Sequence, residues 1–234
     1  MPNPVAVIGL SEINPHTGVD LGVLAVAQQL AAVGHQVVVL DADPFSGMLT
    51  PWAVEQGVSG PPMDVLLTQW LRGLVPTLIS EPLAELLGED VGLGAVGVVH
   101  ATNAEDPTRR APPPTTRALR LMRESLNSLT LAGAAVDVVL VRLPPLSTPS
   151  GVALGANLVD VLVPLLAPTA SAIRQAAKAL NQLTTLRGQR PVLLPVEIVE
   201  EGDTSLAASE PLWLAGLGVV PMCCLLYTSP SPRD

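Results

Sequence analysis

Lysine is all but missing from this chain. Of its 12 lysines and arginines only Lys178 is a lysine, so chemistry that needs a lysine anywhere else is excluded. Aromatic residues make up 2% of the 234 positions. The core must therefore be Val, Leu, Ala and Ile, which suits a parallel sheet covered by helices better than an aromatic-rich all-β fold. Cysteine is confined to the adjacent pair Cys223 and Cys224. That excludes a disulfide framework and a cysteine metal cluster, and it fits a reducing compartment. Charged residues are only 14%, with a net charge of −9. A chain this acidic is a poor general nucleic-acid binder unless its few cations cluster. No apolar run reaches the length of a membrane span, and the opening Met1-Pro2-Asn3-Pro4 has no basic signal-peptide region. The expectation is a cytoplasmic protein, peripheral at most to a membrane.

What is present is apolar and regularly punctuated. Hydrophobic residues are 48%, enough for a large core, and 24 prolines and 19 glycines separate apolar segments without forming a repeat. Val5–Leu10 reads as a buried strand, Ser11–Gly18 as a polar loop, and Leu21–Val33 as a helix that Asp20 can cap and Gly34 ends. Val37–Leu40 is a second buried strand, closed by Asp41-Ala42-Asp43-Pro44. Together these make a βαβ unit.

Farther on, helices are predicted near 63–74 and 82–87, a strand over 93–99 and a Pro-rich surface loop over 101–114. A helix follows from Thr115 or Thr116 to Leu129, then a strand over Val136–Val141. Next come a helix near Val152–Asn157, a strand over Val159–Leu166 and a helix from a Ser171 cap to Leu186. Strands over 191–199 and Gly218–Pro221 complete the pattern. The alternation predicts one doubly wound α/β domain with a mostly parallel sheet, spanning residues 1–223.

The last residues, Cys224-Leu225-Leu226-Tyr227-Thr228-Ser229-Pro230-Ser231-Pro232-Arg233-Asp234, resemble a sequencing adapter read as codons. Residues 224–234 are therefore expected to be an adapter-derived tail, and the natural chain to be truncated near Cys223.

The order of the remaining pieces carries a more informative resemblance. Asp41-Ala42-Asp43-Pro44 follows the second strand, Asp137 and Pro144-Pro145 bracket a later one, Asp160, Pro168 and Ile173 mark the next, and Gly218-Val219-Val220-Pro221 comes last. In order and spacing these resemble the ParA/MinD family of partitioning and positioning ATPases, over residues 4–222. The resemblance implies a three-layer fold of the P-loop NTPase type. It also implies ATP and Mg²⁺ as ligands, held by a K-G-G-x-G-K-T-T loop between the first strand and helix. Such a loop works because glycines let amide N–H groups close on phosphates, lysines neutralise them and a hydroxyl holds Mg²⁺.

In this chain that loop falls on Asn14-Pro15-His16-Thr17-Gly18-Val19-Asp20-Leu21, where only Gly18 survives. Asn14 and Val19 stand at the lysine positions, Pro15 and His16 at glycine positions, and Asp20 at the Mg²⁺ hydroxyl. Arg142 stands at the Pro-Pro strand's metal-placing carboxylate, and Pro195-Val196-Glu197 where an adenine-side asparagine is expected. What the resemblance leaves as residual site residues is Asp43 for catalysis and Thr17, Gly18 and Asp41 for cofactor contact, with no metal ligand set. Solvated loop carboxylates are the plainer reading of the Asp41/Asp43 pair.

Other patterns carry less. Gly92-Leu93-Gly94-Ala95-Val96-Gly97 spells a dinucleotide fingerprint but lies in a strand that leads to a Pro-rich loop, so it reads as a glycine-softened strand. His16, His35 and His100 have no zinc-ligand spacing. Arg117, Arg120 and Arg123 recur every three residues on one helix and form a candidate face for an anionic partner, or a solvated face.

The expectation is thus a degenerate ParA/MinD-like pseudo-ATPase that needs no cofactor. It would act through a protein partner, an active homologue or a second copy, in chromosome partitioning, cell division or pilus and secretion positioning. The alternatives are an active ATPase with an atypical phosphate loop, and an acidic paralogue with a new small-molecule site.

Overall fold

A computed structural model of the chain describes residues 5–13, 18–43, 49, 95–99, 116–131, 134–167, 169–185, 192–193, 196–199 and 218–221. The helices expected near 63–74 and 82–87, the 101–114 loop, Asn14–Thr17 and the 224–234 tail lie outside the described residues.

The β-branched run Val37-Val38-Val39 and its counterparts favour extended backbone, and burial on both faces favours parallel pairing. Strands β1 (Ala6–Glu12), β2 (Gln36–Asp41), β3 (Ala95–Val99), β6 (Val138–Arg142), β7 (Val161–Leu166), β9 (Val196–Val199) and β10 (Gly218–Pro221) lie in the order β10-β9-β7-β1-β6-β2-β3. A short β8 (Val192–Leu193) pairs with β7. Every described pairing in this sheet is parallel. A separate antiparallel hairpin, β4 (Thr130–Leu131) with β5 (Ala134–Ala135), had no sequence expectation.

Helices cover both faces, as three layers require. Helix α1 (Val19–Ala32) lies on one face, where Val19, Val23, Leu24, Ala27 and Ala31 pack with Leu10, Val37, Val39, Val138 and Leu140. Helices α2 (Thr116–Leu126), α3 (Pro149–Asn157) and α4 (Ala170–Thr185) lie on the other, packing on Val7, Val38, Leu40, Val139 and Val141. The alternation of strand side chains decides which face each residue serves. Val138, Leu140 and then Arg142 point to the α1 side; Val139 and Val141 point away.

Element ends differ from expectation in instructive ways. Asp20 does not cap α1: the N-cap is Gly18, in the left-handed region at φ 72°, and Asp20 lies inside the first turn. At the other end Gly34, at φ 100°, accepts the reversal that L side chains resist. His35 N–H reaches the Leu30 carbonyl and Gly34 N–H the Ala31 carbonyl, a Schellman closure. Helix α3 starts at Pro149, three residues before the expected Val152, because Thr148 Oγ1 accepts the Gly151 N–H at 3.1 Å and Pro149 needs no partner there. Helix α4 is capped by Thr169, whose Oγ1 accepts the Ala172 N–H, and not by Ser171. The strand expected over 191–199 is two short strands, with Pro195, which has no N–H for a ladder, between them in sequence. Strand β6 runs to Arg142, one residue beyond the expected end, which brings that arginine into the sheet.

Two glycines test the packing. A Cβ on Gly151 would fall 2.6 Å from the Pro144 carbonyl oxygen and closer still to that of Pro145, both fixed backbone atoms. A Cβ on Gly22, inside α1, would meet only Leu165 at an ordinary 3.6 Å. Gly151→Ala is expected to destabilise by about 2 kcal/mol or more through overpacking, and Gly22→Ala to stabilise by about 0.5–1 kcal/mol through helix propensity. Urea unfolding of the two variants checks both signs.

Candidate functional site

Strand order fixes where a site belongs. The chain leaves β1 toward β2 and β3 on one side, returns to β6 beside β1, then crosses to β7 on the other side. Ligands of doubly wound sheets bind at the carboxyl ends of the strands near such a reversal. Here that edge comprises the ends of β1 (Ser11, Glu12), β2 (Asp41), β6 (Arg142) and the N-terminus of α1.

Arg142 is the centre of it. Its backbone lies between Leu10 of β1 and Asp41 of β2. Its side chain, 1% exposed, is among the largest fully buried side chains described. Nε donates to Asp20 Oδ1 at 2.9 Å, and Nη1 donates to Asp43 Oδ2. Asp41 and Asp43 are also buried, and Asp43 N–H donates to Asp41 Oδ1 at 3.2 Å, which folds the turn after β2. Burial pulls the Arg142 pKa down, but Asp20, Asp43 and Asp41 outweigh it and raise the pKa above the usual arginine value. A raised folded-state pKa adds stability that is fully present below the unfolded value and lost only as pH rises through the folded one. The guanidinium's contribution is therefore constant through neutral pH.

The edge around this cluster is tied down by backbone bonds. Ala42 N–H reaches the Arg142 carbonyl at 2.8 Å, Leu143 N–H the Leu10 carbonyl at 2.9 Å, and Leu146 N–H the Glu12 carbonyl at 3.1 Å. Buried Ser11 donates its hydroxyl to the Pro144 carbonyl at 2.8 Å.

The residual site residues Gly18, Asp41 and Asp43 thus meet at one edge, with Asp20 and Arg142 between them. Thr17 lies outside the described residues. Among the described residues no three His, Cys, Asp or Glu side chains are arranged to hold a metal ion. No described helix is long and apolar enough to cross a membrane. Motif positions judge Asp20 and Arg142 one at a time; the signal that joins them is their opposite charge.

The arginine face is divided. Arg117 and Arg120 are exposed on α2. Arg123 is half-buried, and its Nη2 donates to both oxygens of Asp160 at 2.9 and 2.8 Å and to the Val5 carbonyl at 3.4 Å. Asp160 Oδ2 also accepts the Val7 N–H at 3.0 Å, so this pair fastens α2 to the start of β1.

By sequence, no family profile and no curated protein matches the chain. Solved structures do share its fold. A ParA family ATPase from Chlorobium tepidum is 12% identical at a TM-score of 0.61, over 94% of this chain and 84% of that one. A chain of the MinC:MinD cell division protein complex from Aquifex aeolicus is 12% identical at 0.61, over 97% and 87%. The septum site-determining protein MinD complexed with Mg-ADP, from Pyrococcus horikoshii, is 13% identical at 0.57, over 97% and 79%. The chain has the fold of the ParA/MinD ATPases.

Removing the two kinds of arginine should separate them. Arg123→Ala is expected to cost about 1–2 kcal/mol, discounted for partial exposure of the pair. Arg117→Ala and Arg120→Ala should stay within about 0.5 kcal/mol of the parent in the same urea titration.

Proposed function

We propose that this chain is a ParA/MinD-like module of partitioning, division-site or pilus and secretion positioning that has given up nucleotide hydrolysis. It acts through protein–protein contacts, with an active homologue or a second copy of itself. The fold supports the kind of protein, and one observation supports the loss of chemistry: the buried Arg142 guanidinium, bound by Asp20 and Asp43, at the edge where an ATPase of this fold needs Mg²⁺.

The residues present do not fit ATP and Mg²⁺. A fixed cation at the metal's position repels Mg²⁺, and Asp20 puts a carboxylate where the phosphates and their metal would lie. Neither lysine of the phosphate loop exists, since Asn14 and Val19 stand there and Lys178 lies in α4. A charge-assisted hydrogen bond contributes about 1.5–3 kcal/mol, so two absent lysines remove roughly 3–6 kcal/mol. A micromolar site then falls to about millimolar or weaker. Pro15 adds to the loss, having no N–H for a phosphate cradle.

The test is calorimetric titration with Mg-ATP and Mg-ADP up to millimolar concentration. The natural chain should give no heat of binding. A variant carrying Asn14→Lys, Pro15→Gly, His16→Gly, Val19→Lys, Asp20→Thr and Arg142→Asp should gain it. Micromolar binding by the natural chain would overturn the reading and favour an active ATPase with an atypical loop.

A further inference from the structure

We propose that Asp20 and Arg142 form a tethered substitute for an anion–cation ligand pair, which holds the α1–β6–β2 junction in one conformation with nothing bound. What the pair replaces rests on the functional reading above; that the two residues act as one unit rests on geometry alone.

Each half occupies the place that its charge favours. The first turn of a helix presents unpaired amide N–H groups and the positive end of the helix dipole, and so attracts an anion. Asp20, in the first turn of α1, supplies one covalently. The end of β2 brings Asp41 and Asp43 together below the surface and so attracts a cation. Arg142 supplies that one covalently, from the neighbouring strand. A dication and a phosphate would meet at such a junction as a contact pair; here Nε and Oδ1 meet at 2.9 Å.

The substitution works only as a pair. A buried guanidinium without its carboxylates is an uncompensated charge, costly to leave in place. Asp20 without Arg142 faces Asp43 and Asp41 as a like charge. The partners are far apart in the chain, 122 residues for Asp20 and 99 for Asp43, so the contact joins the start of α1, strand β6 and the β2 turn. A bound ligand would make that junction conditional on its presence. A tethered pair makes it permanent, as suits a module whose surface must stay constant for a partner.

A double-mutant cycle on the full chain, read by thermal melting, tests the coupling. Asp20→Ala in the natural background should lower the melting temperature by about 5 °C, because it leaves the buried Nε–H without its acceptor while Asp43 still holds Nη1. In an Arg142→Met background the same change should have no effect or raise the melting temperature, because it then removes a like charge. Millimolar Mg²⁺ with inorganic triphosphate should leave the natural chain's melting temperature unchanged. If Arg142→Met does not fold, Arg142→Lys serves as the second background. Lysine keeps the charge but not the fork, and the Asp20→Ala effect should shrink to an intermediate value. Equal loss from Asp20→Ala in both backgrounds would overturn the proposal, as would melting raised by several degrees with Mg²⁺ and triphosphate. The cycle contains no nucleotide, so its outcome is separate from the Mg-ATP titration. Binding there would remove the functional reading and leave the coupling to be judged on its own.

Discussion

A fully buried guanidinium is the constraint around which the carboxyl edge of this sheet is organised. Arg142 sits in an interior strand, β6, between β1 and β2, and cannot reach water. It must therefore be neutralised from within, and the carboxylates that do so come from the first turn of α1 and from the turn after β2. The backbone bonds from Ala42 and Leu143 then fix the strand ends on either side. Backbone pairing of β2 with β6 and the apolar packing of α1 bring these elements together, and the charge requirement draws the helix start and the β2 turn onto one side chain.

Such a cluster is a poor device for stability alone. The desolvation of buried ions consumes most of their attraction, and a well-packed apolar trio of the same volume would do as well or better. What the cluster provides is selection among arrangements, because few arrangements satisfy all its charges at once. The Arg123–Asp160 pair does similar work away from the edge, where it joins α2 to the backbone at Val5, just before β1, and at Val7 within it. Both pairs withdraw cations from a chain that has only 12. Among the described residues this leaves Arg117, Arg120, Arg174 and Lys178 exposed, all on the helical layer opposite α1.

Much of this fold was legible because its signals are local. Runs such as Val37-Val38-Val39, glycine at Gly34 and the Asp-x-Asp-Pro turn each declare an element through a few adjacent residues. The cap of α3 is equally local, in Thr148 followed by Pro149, but it precedes the apolar residues from Val152 onward that carry the helical pattern. The β4–β5 hairpin was not legible, since two residues a side give no periodicity. The site was half legible. The resemblance sets Asn14, Val19, Asp20 and Arg142 at positions where the ParA/MinD phosphate and metal pattern has other residues, each judged singly. That Asp20 and Arg142 pair with each other depends on side chains 122 residues apart meeting on one face of a sheet, and sequence spacing alone does not carry that geometry.

The central claim is that Arg142 is a permanent, internally satisfied cation, and proton–nitrogen NMR of its Nε–H group tests it most directly. The resonance is assigned by its loss in an Arg142→Lys variant. It should be resolved and slow to exchange with water near neutral pH, unlike those of exposed Arg117 and Arg120, and millimolar Mg-ATP should not move it. Exchange as fast as at the exposed arginines, or a shift on adding Mg-ATP, would contradict the account.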